Sequence, residues 1–328
     1  MHLSTINAPS YKRKRIGTLE ALAYPLGLNA AALEDLARRA DAMYRLAKEI
    51  VKPDGSVRHT YDAFKPLKVV HGRIKREILD QVAFPLYLTG SIKGRDYKVN
   101  ATLHSRAKIV INEDISGFFP ATTSQHVFDI WHRFFGFSEA VARCLTDLTT
   151  YHGELPQGAI TSPALANLVF WRREPQLQAE FAAKGWTYSR YVDDIAVSST
   201  IGMAPHQKTE AIRKVYGLLS GYGYKPKRNK HEITTAAQRM VVTKLSINAK
   251  PGLAQSERDR IRAAVHEVER LVSSGNSIST DSGVYAKAMG RVTTLARFHP
   301  GEAAPLRQRL LRAKQTLQPL LSPSTRAP

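Results

Sequence analysis

The amino-acid sequence predicts an α+β fold that ends in a purely helical module. Three observations carry this expectation. Strand-like apolar runs recur through the middle of the chain, at residues 108–115, 188–198 and 241–248. Segments with helical spacing separate them, and beyond Pro251 helical spacing is the only regular pattern. With 328 residues, 43% of them hydrophobic, the chain can also bury a sizeable core.

Residues 18–50 are expected to be helical, because Leu19, Leu22, Leu33, Leu36, Ala37, Ala40, Met43 and Leu46 fall near helical spacing, with a break at 25–27. Pro53-Asp54-Gly55 suits a turn, residues 56–61 a strand and 67–82 a helix. The run 108–115 reads as a buried strand that delivers Asp114 at its end, followed by helices at 123–135 and 138–150. Leu155-Pro156-Gln157-Gly158 forms a turn before a second buried element at 162–170. Residues 188–198 alternate around Asp193-Asp194 as a hairpin whose turn carries both acids. Further on, Ser256-x-x-Asp259 suits a capping box ahead of an Ile261, Val265, Val268, Val272 stripe. A second helix is expected at 282–298, a third with Pro305 in its first turn, and a disordered tail at 322–328.

Charge narrows the class of partner. The chain holds 48 Lys+Arg against 28 Asp+Glu, a net charge of +20, which calls for a polyanion. Residues 1–110 carry 20 basic and 10 acidic side chains, 111–250 carry 16 and 12, and 251–328 carry 12 and 6. Two basic flanks thus enclose a more acidic middle, as a groove with basic walls and a metal-holding floor would require; lysine used for solubility is the plain alternative. The lone Cys144 excludes a disulfide framework and any multi-Cys metal site, and suits the cytoplasm. Residues 1–17 include the basic run Lys12-Arg13-Lys14-Arg15 but no apolar core of a signal peptide. The longest uncharged stretch, residues 155–171, contains Pro156, Pro163, Gln157 and Asn167, so no membrane span is expected.

The acids point to chemistry. Adjacent Asp193 and Asp194 inside an apolar strand run repel each other and lose hydration, a cost that divalent cations offset. An exposed Asp-Asp turn would also account for this tetrapeptide alone. Asp114, at the end of a second apolar strand, adds the third oxygen ligand that a two-metal phosphoryl-transfer site needs, and no thiolate or paired-His set competes for a softer metal.

Asp114 with Phe119 five positions on, Leu155-Pro156-Gln157-Gly158 with Ser162-Pro163, and Tyr191-Val192-Asp193-Asp194 occur in the order and spacing of reverse transcriptase palm motifs. The chain resembles that family from about Arg58 to its C-terminus. The resemblance implies a right-hand polymerase: an N-terminal helical region at 1–50, fingers at 51–110 completed by part of 140–165, an antiparallel-sheet palm at 111–250 and a helical thumb at 251–328. It implies Asp114, Asp193, Asp194 and the Ile115 carbonyl as ligands of two Mg²⁺ ions, for which Mn²⁺ can substitute. It also implies Phe119 as a steric gate against the ribonucleotide 2′-OH, and Gln157 beside the incoming nucleotide. Lys230 resembles the lysine that approaches the triphosphate, with Lys225, Lys227 and Arg228 as competing choices. Among a dozen basic residues at 51–110, Arg58 and Arg73 are candidates for clamping phosphates.

Asn100-Ala101-Thr102-Leu103-His104 matches the Asn-Ala-x-x-His signature of retron reverse transcriptases. A chain of this length is expected to lack room for an added nuclease or integrase domain, which suits a compact bacterial enzyme. The retron resemblance implies a cognate noncoding RNA, priming from an RNA 2′-OH, a branched RNA–DNA product, dNTP substrates and a separately encoded effector in anti-phage defence. Asn100, His104, Thr243, Lys244, Arg291 and Arg309 are then the expected RNA-binding residues. Three positions depart from the pattern: Val192 replaces Ala, Gly117 replaces an acidic residue, and Lys244 replaces the Gly of Val-Thr-Gly. The last change is expected to remove the positive-φ freedom at 244. Other bacterial reverse transcriptases, defence- or CRISPR-associated, are the alternative. A polymerase-shaped nucleic-acid binder without activity is a third reading, against which the three intact acids speak.

Overall fold

A computed structural model describes residues 7–51, 55–274 and 283–317. The chain divides into two compact units, Met1–Thr243 and Lys244–Pro328.

The first unit begins with β1 (Ser10–Tyr11), α1 (Leu19–Ala23) and α2 (Ala30–Arg38). Thr18 and Asn29 start the two helices, their side chains accepting from the Ala21 and Ala32 amides at 3.2 and 2.8 Å. The expected helix to residue 50 stops early. Tyr44–Val51 is instead β2, paired antiparallel with β3 (Val57–Ala63). Beyond Met43 only Leu46 supported helical spacing, and the ladder to β3 supplies backbone partners that a lone helical turn lacks. Residues Pro53 and Asp54 of the expected turn lie outside the described residues. Next come α3 (Lys65–Glu77), β4 (Val82–Ala83), which pairs with β1, and the short α4 (Tyr97–Leu103).

β5 (Ile109–Asp114) is the predicted acid-bearing strand. It leads into α5 (Phe118–Ala121), α6 (Ser124–Asp129), a wide π-type turn at Ile130–Phe134 and α7 (Glu139–Thr149). The buried element after the Gln157 turn is α8 (Ser162–Leu168), with Pro163 in its first turn, followed by α9 (Glu174–Ala183). β6 (Trp186–Tyr191) and β7 (Asp194–Ser199) form the expected hairpin; Asp193 lies in its turn and Asp194 opens β7. α10 (Pro205–Ser220), β8 (Glu232–Thr235) and β9 (Val241–Val242) complete the unit.

β6, β7, β5 and β8 make a four-stranded antiparallel sheet in that order. Its register sets Asp114 directly opposite Asp194. Alternation then divides the faces. Ile111, Ile195, Val197, Tyr188 and Trp186 belong to one, which packs into the core with Leu177 and Phe181 of α9 and Val215 and Leu218 of α10. Asp114, Asp194 and Ser198 belong to the other.

The second unit contains β10 (Leu245–Ser246), α11 (Gln255–Ser273), α12 (Gly283–Ala296) and α13 (Pro300–Leu317). The helices enclose their own core of Ile261, Val265, Val268, Val292, Leu295, Leu306 and Leu310. The expected capping box does not form: α11 starts at Gln255, whose side-chain amide donates to Asp259 at 3.1 Å. Nor does Pro305 open α13. Pro300 does, since the first position needs no N–H, and Pro305 sits inside at an exposed position, where water can reach the carbonyl it leaves unbonded. The expected disordered tail lies outside the described residues. Lys244 did not abolish positive φ: Thr243 and Lys244 stand at φ 46 and 71. The turn keeps its left-handed geometry and bears the strain. Among the described residues no helix is long and apolar enough to cross a membrane.

Candidate active site

Three carboxylates converge at one end of the sheet. β5 delivers Asp114, 4% exposed, and β7 delivers Asp194 across from it. The Ile115 amide donates to the Asp193 carbonyl at 3.0 Å, which fastens the hairpin turn to the end of β5. Val192 in that turn has φ 61. A β-branched residue is strained there and stays only where its surroundings over-determine it.

Those surroundings are unusual in being charged and closed. Arg190 is fully enclosed, yet its Nη1 donates to the Val192 carbonyl at 3.1 Å and its Nη2 to the Asn167 carbonyl at 2.9 Å. Its Nε and Nη2 also donate to the two oxygens of buried Glu174 at 2.6 and 2.9 Å, and the Tyr188 hydroxyl donates to Glu174 at 2.7 Å. Burial opposes the charge on Arg190, but Glu174 outweighs it and holds the guanidinium pKa above its ordinary value. On the other side of the turn lies Gly90. A Cβ there would stand 2.6 Å from the Val192 Cγ2 and amide nitrogen, so only glycine lets this segment pass.

The three acids are less well compensated. Loss of water around the carboxyl, then repulsion from Asp193 and Asp114, pushes Asp194 up to about 7, although the residue as a whole reaches the surface. Asp193 is raised by burial and by Asp114, against the smaller pull of Lys230 and Arg58. Lys230 forms an ion pair with Asp114. Its pKa is raised, since bonding to Asp114 and the nearby acids overcomes its partial burial. Lys227 contributes its amide to the Asp114 carbonyl at 2.7 Å, and His231 holds Glu113 at 2.7 Å. Among the described residues no three acids, histidines or cysteines are already closed into a cation cage. An all-oxygen donor set with surplus, mutually repelling charge fits hard divalent cations.

The other predicted residues distribute unevenly. Phe119 is half-buried, 5.9 Å from the Phe118 ring. The Gln157 carbonyl accepts from the Tyr61 amide at 2.7 Å, and Gly158, at φ 108, has the Tyr61 carbonyl 2.7 Å from where a Cβ would stand. β3 is therefore docked on the Gln157 turn. Arg58, exposed on β3, acts electrostatically on Asp193. Arg73 donates from Nη1 to the Leu26 carbonyl, beside the N-terminal helices. Asn100 and His104, expected to touch RNA, are 1% exposed each, and side chains so enclosed offer no contact to a polyanion. The Thr243 hydroxyl donates to the Tyr97 carbonyl at 3.0 Å, while Lys244 is exposed. Arg291 is exposed on α12; Arg309 is held by both oxygens of Glu269 at 2.7 and 2.5 Å.

Sequence reasoning missed Arg190, Glu174 and Gly90. A cation inside the alternating run 188–198 was the available signal for Arg190; Glu174 lies 16 residues away and offered none.

A family model described as reverse transcriptase (RNA-dependent DNA polymerase) matches residues 50–268, more than half of the chain. The chain is 28% identical over 306 residues to the retron Se72 reverse transcriptase of Salmonella heidelberg (strain 579083-10), covering 92% of this chain and 81% of that relative. It is 30% identical over 310 residues to the retron Ec48 reverse transcriptase of Escherichia coli, covering 90% and 74%. The retron Ec86 reverse transcriptase of Escherichia coli matches at 29% over 243 residues, covering 74% and 75%. With the three acids at the joined ends of β5 and β7, these likenesses lead to one conclusion: the chain belongs to the reverse transcriptase family, RNA-directed DNA polymerases, and is of the retron type.

Proposed function

We propose that this enzyme copies part of a cognate structured RNA into single-stranded DNA, priming from an RNA 2′-OH, so that product and template stay joined through a branch. The observation that carries the chemistry is the convergence of Asp114, Asp193 and Asp194, with Asp193 and Asp194 held above their ordinary pKa by burial and mutual repulsion. Two Mg²⁺ ions, with Mn²⁺ as substitute, would be held by these carboxylates and the Ile115 carbonyl; when bound they lower the pKa of the attacking hydroxyl and neutralise the leaving pyrophosphate. Lys230, paired with Asp114, would approach the same phosphates and donate a proton to the leaving group. Phe119, half-buried on α5, would exclude a ribose 2′-OH, and the Gln157 turn, fixed to β3, would floor the nucleotide pocket. Arg58 is the better phosphate candidate of the two predicted, since Arg73 is engaged elsewhere.

On this reading the chain is a right hand, with fingers at 51–110 and part of 140–165, palm at 111–250 and thumb at 251–328. The division into units before Lys244 and the separate helical core beyond it support the thumb boundary. Exposed Arg291 and Lys244 would grip RNA by shape and phosphate. The net charge of +20 suits that partner. On this reading the enzyme works in the cytoplasm, with a separately encoded effector and a role in anti-phage defence, and the retron likeness supports it.

Sequencing the nucleic acid that co-purifies with the enzyme tests this reading. One dominant RNA joined to single-stranded DNA is expected. A random mixture of cellular RNA would count against it.

A further inference from the structure

The Asn-Ala-x-x-His signature lies on α4, and its two polar side chains are spent on the catalytic hairpin. His104 Nδ1 is 2.7 Å from the Ser198 hydroxyl and Nε2 is 2.7 Å from the Ser189 hydroxyl. Ser189 belongs to β6 and Ser198 to β7, so one imidazole spans both strands of the hairpin that carries Asp193 and Asp194. Ser198 and Asp194 occupy the same face of β7, the face of Asp114. Asn100 works one step further along. Its Oδ1 accepts from the Thr89 hydroxyl at 2.7 Å, while the Thr89 amide donates to the Arg190 carbonyl at 3.1 Å. This places Gly90 against Val192. α4 is itself fixed at its start by Asp96, which accepts from the Lys98 and Val99 amides at 2.9 and 3.0 Å.

We propose that Asn100 and His104 are positioning residues for polymerisation, which hold the strands of the β6–β7 hairpin behind its turn so that Asp193 and Asp194 meet Asp114 in one geometry. The proposal rests on the metal-holding role given to those acids above. Burial keeps His104 neutral, its pKa lowered to about 3, so one ring nitrogen donates and the other accepts. A serine hydroxyl complements either state, which lets a single ring tie two strands without a charge. Both ring nitrogens and the Asn100 oxygen are occupied by protein and both side chains are buried, so neither is offered to RNA.

The test compares His104→Gln and Ser198→Ala with the unaltered enzyme in three readouts: primer extension on an RNA template, Mn²⁺ affinity by electron paramagnetic resonance, and affinity for the co-purifying RNA. A small displacement of catalytic groups costs on the order of 10- to 100-fold. His104→Gln should therefore lower kcat by about 10-fold or more, weaken Mn²⁺ binding, and leave the nucleotide KM and RNA affinity nearly unchanged. Ser198→Ala, which removes one hydroxyl and no packing carbon, should move kcat and Mn²⁺ affinity the same way by a smaller factor. Loss of RNA affinity with unchanged kcat at saturating RNA would overturn the proposal, as would unchanged kcat and Mn²⁺ affinity in Ser198→Ala. Asp193→Asn is run alongside. If it retains full activity, the metal-site reading fails and this proposal with it; if it is inactive while His104→Gln is unaffected, only this proposal fails.

Discussion

Within five residues of one hairpin the chain handles charge in two opposite ways. Arg190 is sealed from water and answered by Glu174, which Tyr188 also bonds, and by three backbone carbonyls. Asp193 and Asp194, just beyond it, face Asp114 with Lys230 as their close cation. The first cluster is complete as it stands. The second keeps surplus negative charge, which folding alone would select against and which hard cations would satisfy. The closed cluster holds the strained Val192 in place; the open one is what that strain presents.

The sharpest way to break this comparison is to neutralise each cluster in turn. Arg190→Met leaves Glu174 as an uncompensated buried charge and should cost about 3–5 kcal/mol. Asp194→Asn should do the reverse. It removes a carboxylate whose pKa is pushed up by lost hydration and by its neighbours, and should stabilise the fold by up to about 1 kcal/mol once solvent screening is allowed for. Urea unfolding followed by tryptophan fluorescence measures both, because Trp131, Trp171 and Trp186 all lie in the first unit. Equal signs for the two variants would contradict the distinction.

A smaller effect separates the closed region from solvent by pH. Below its ordinary pKa the unfolded chain protonates the His104 imidazole, while the folded chain, with its pKa near 3, does not. Stability is therefore present at neutral pH and lost as pH falls. Between pH 7.5 and 5.5 this residue alone should contribute about 1.4 kcal/mol of loss. His104→Gln should flatten the unfolding free energy across that window by the same amount; an unchanged slope would mean that the ring is not closed off from water. Smallest of all, Lys244→Gly should relieve the left-handed strain at φ 71 and stabilise by about 0.5–1 kcal/mol in calorimetry. A loss of stability would show that the lysine side chain outweighs its backbone cost.

The same contrast explains what could be read from the sequence. The open site was legible because its residues lie in short ordered motifs: Asp114 ends an apolar strand, and Asp193-Asp194 interrupt another. The turn at Gln157 and Gly158 was legible for the same reason. The closed site was not, because its partners are far apart. His104 meets side chains 85 and 94 positions away, and without them a polar motif beside a strand reads as surface. At residues 44–50 a ladder to β3 overrides sparse helical spacing. Lys244 was misjudged because a turn's geometry can persist after the glycine that favours it is gone.

Primer extension on an RNA template by Asp193→Asn, with thermal unfolding of the same sample, decides whether the open acid cluster holds the catalytic cations. Loss of DNA synthesis by about a thousandfold is expected, since a metal's several kcal/mol of charge stabilisation is forfeited, with a melting temperature equal to or above that of the unaltered enzyme. Synthesis at the normal rate, or inactivity explained by a lower melting temperature, would contradict it.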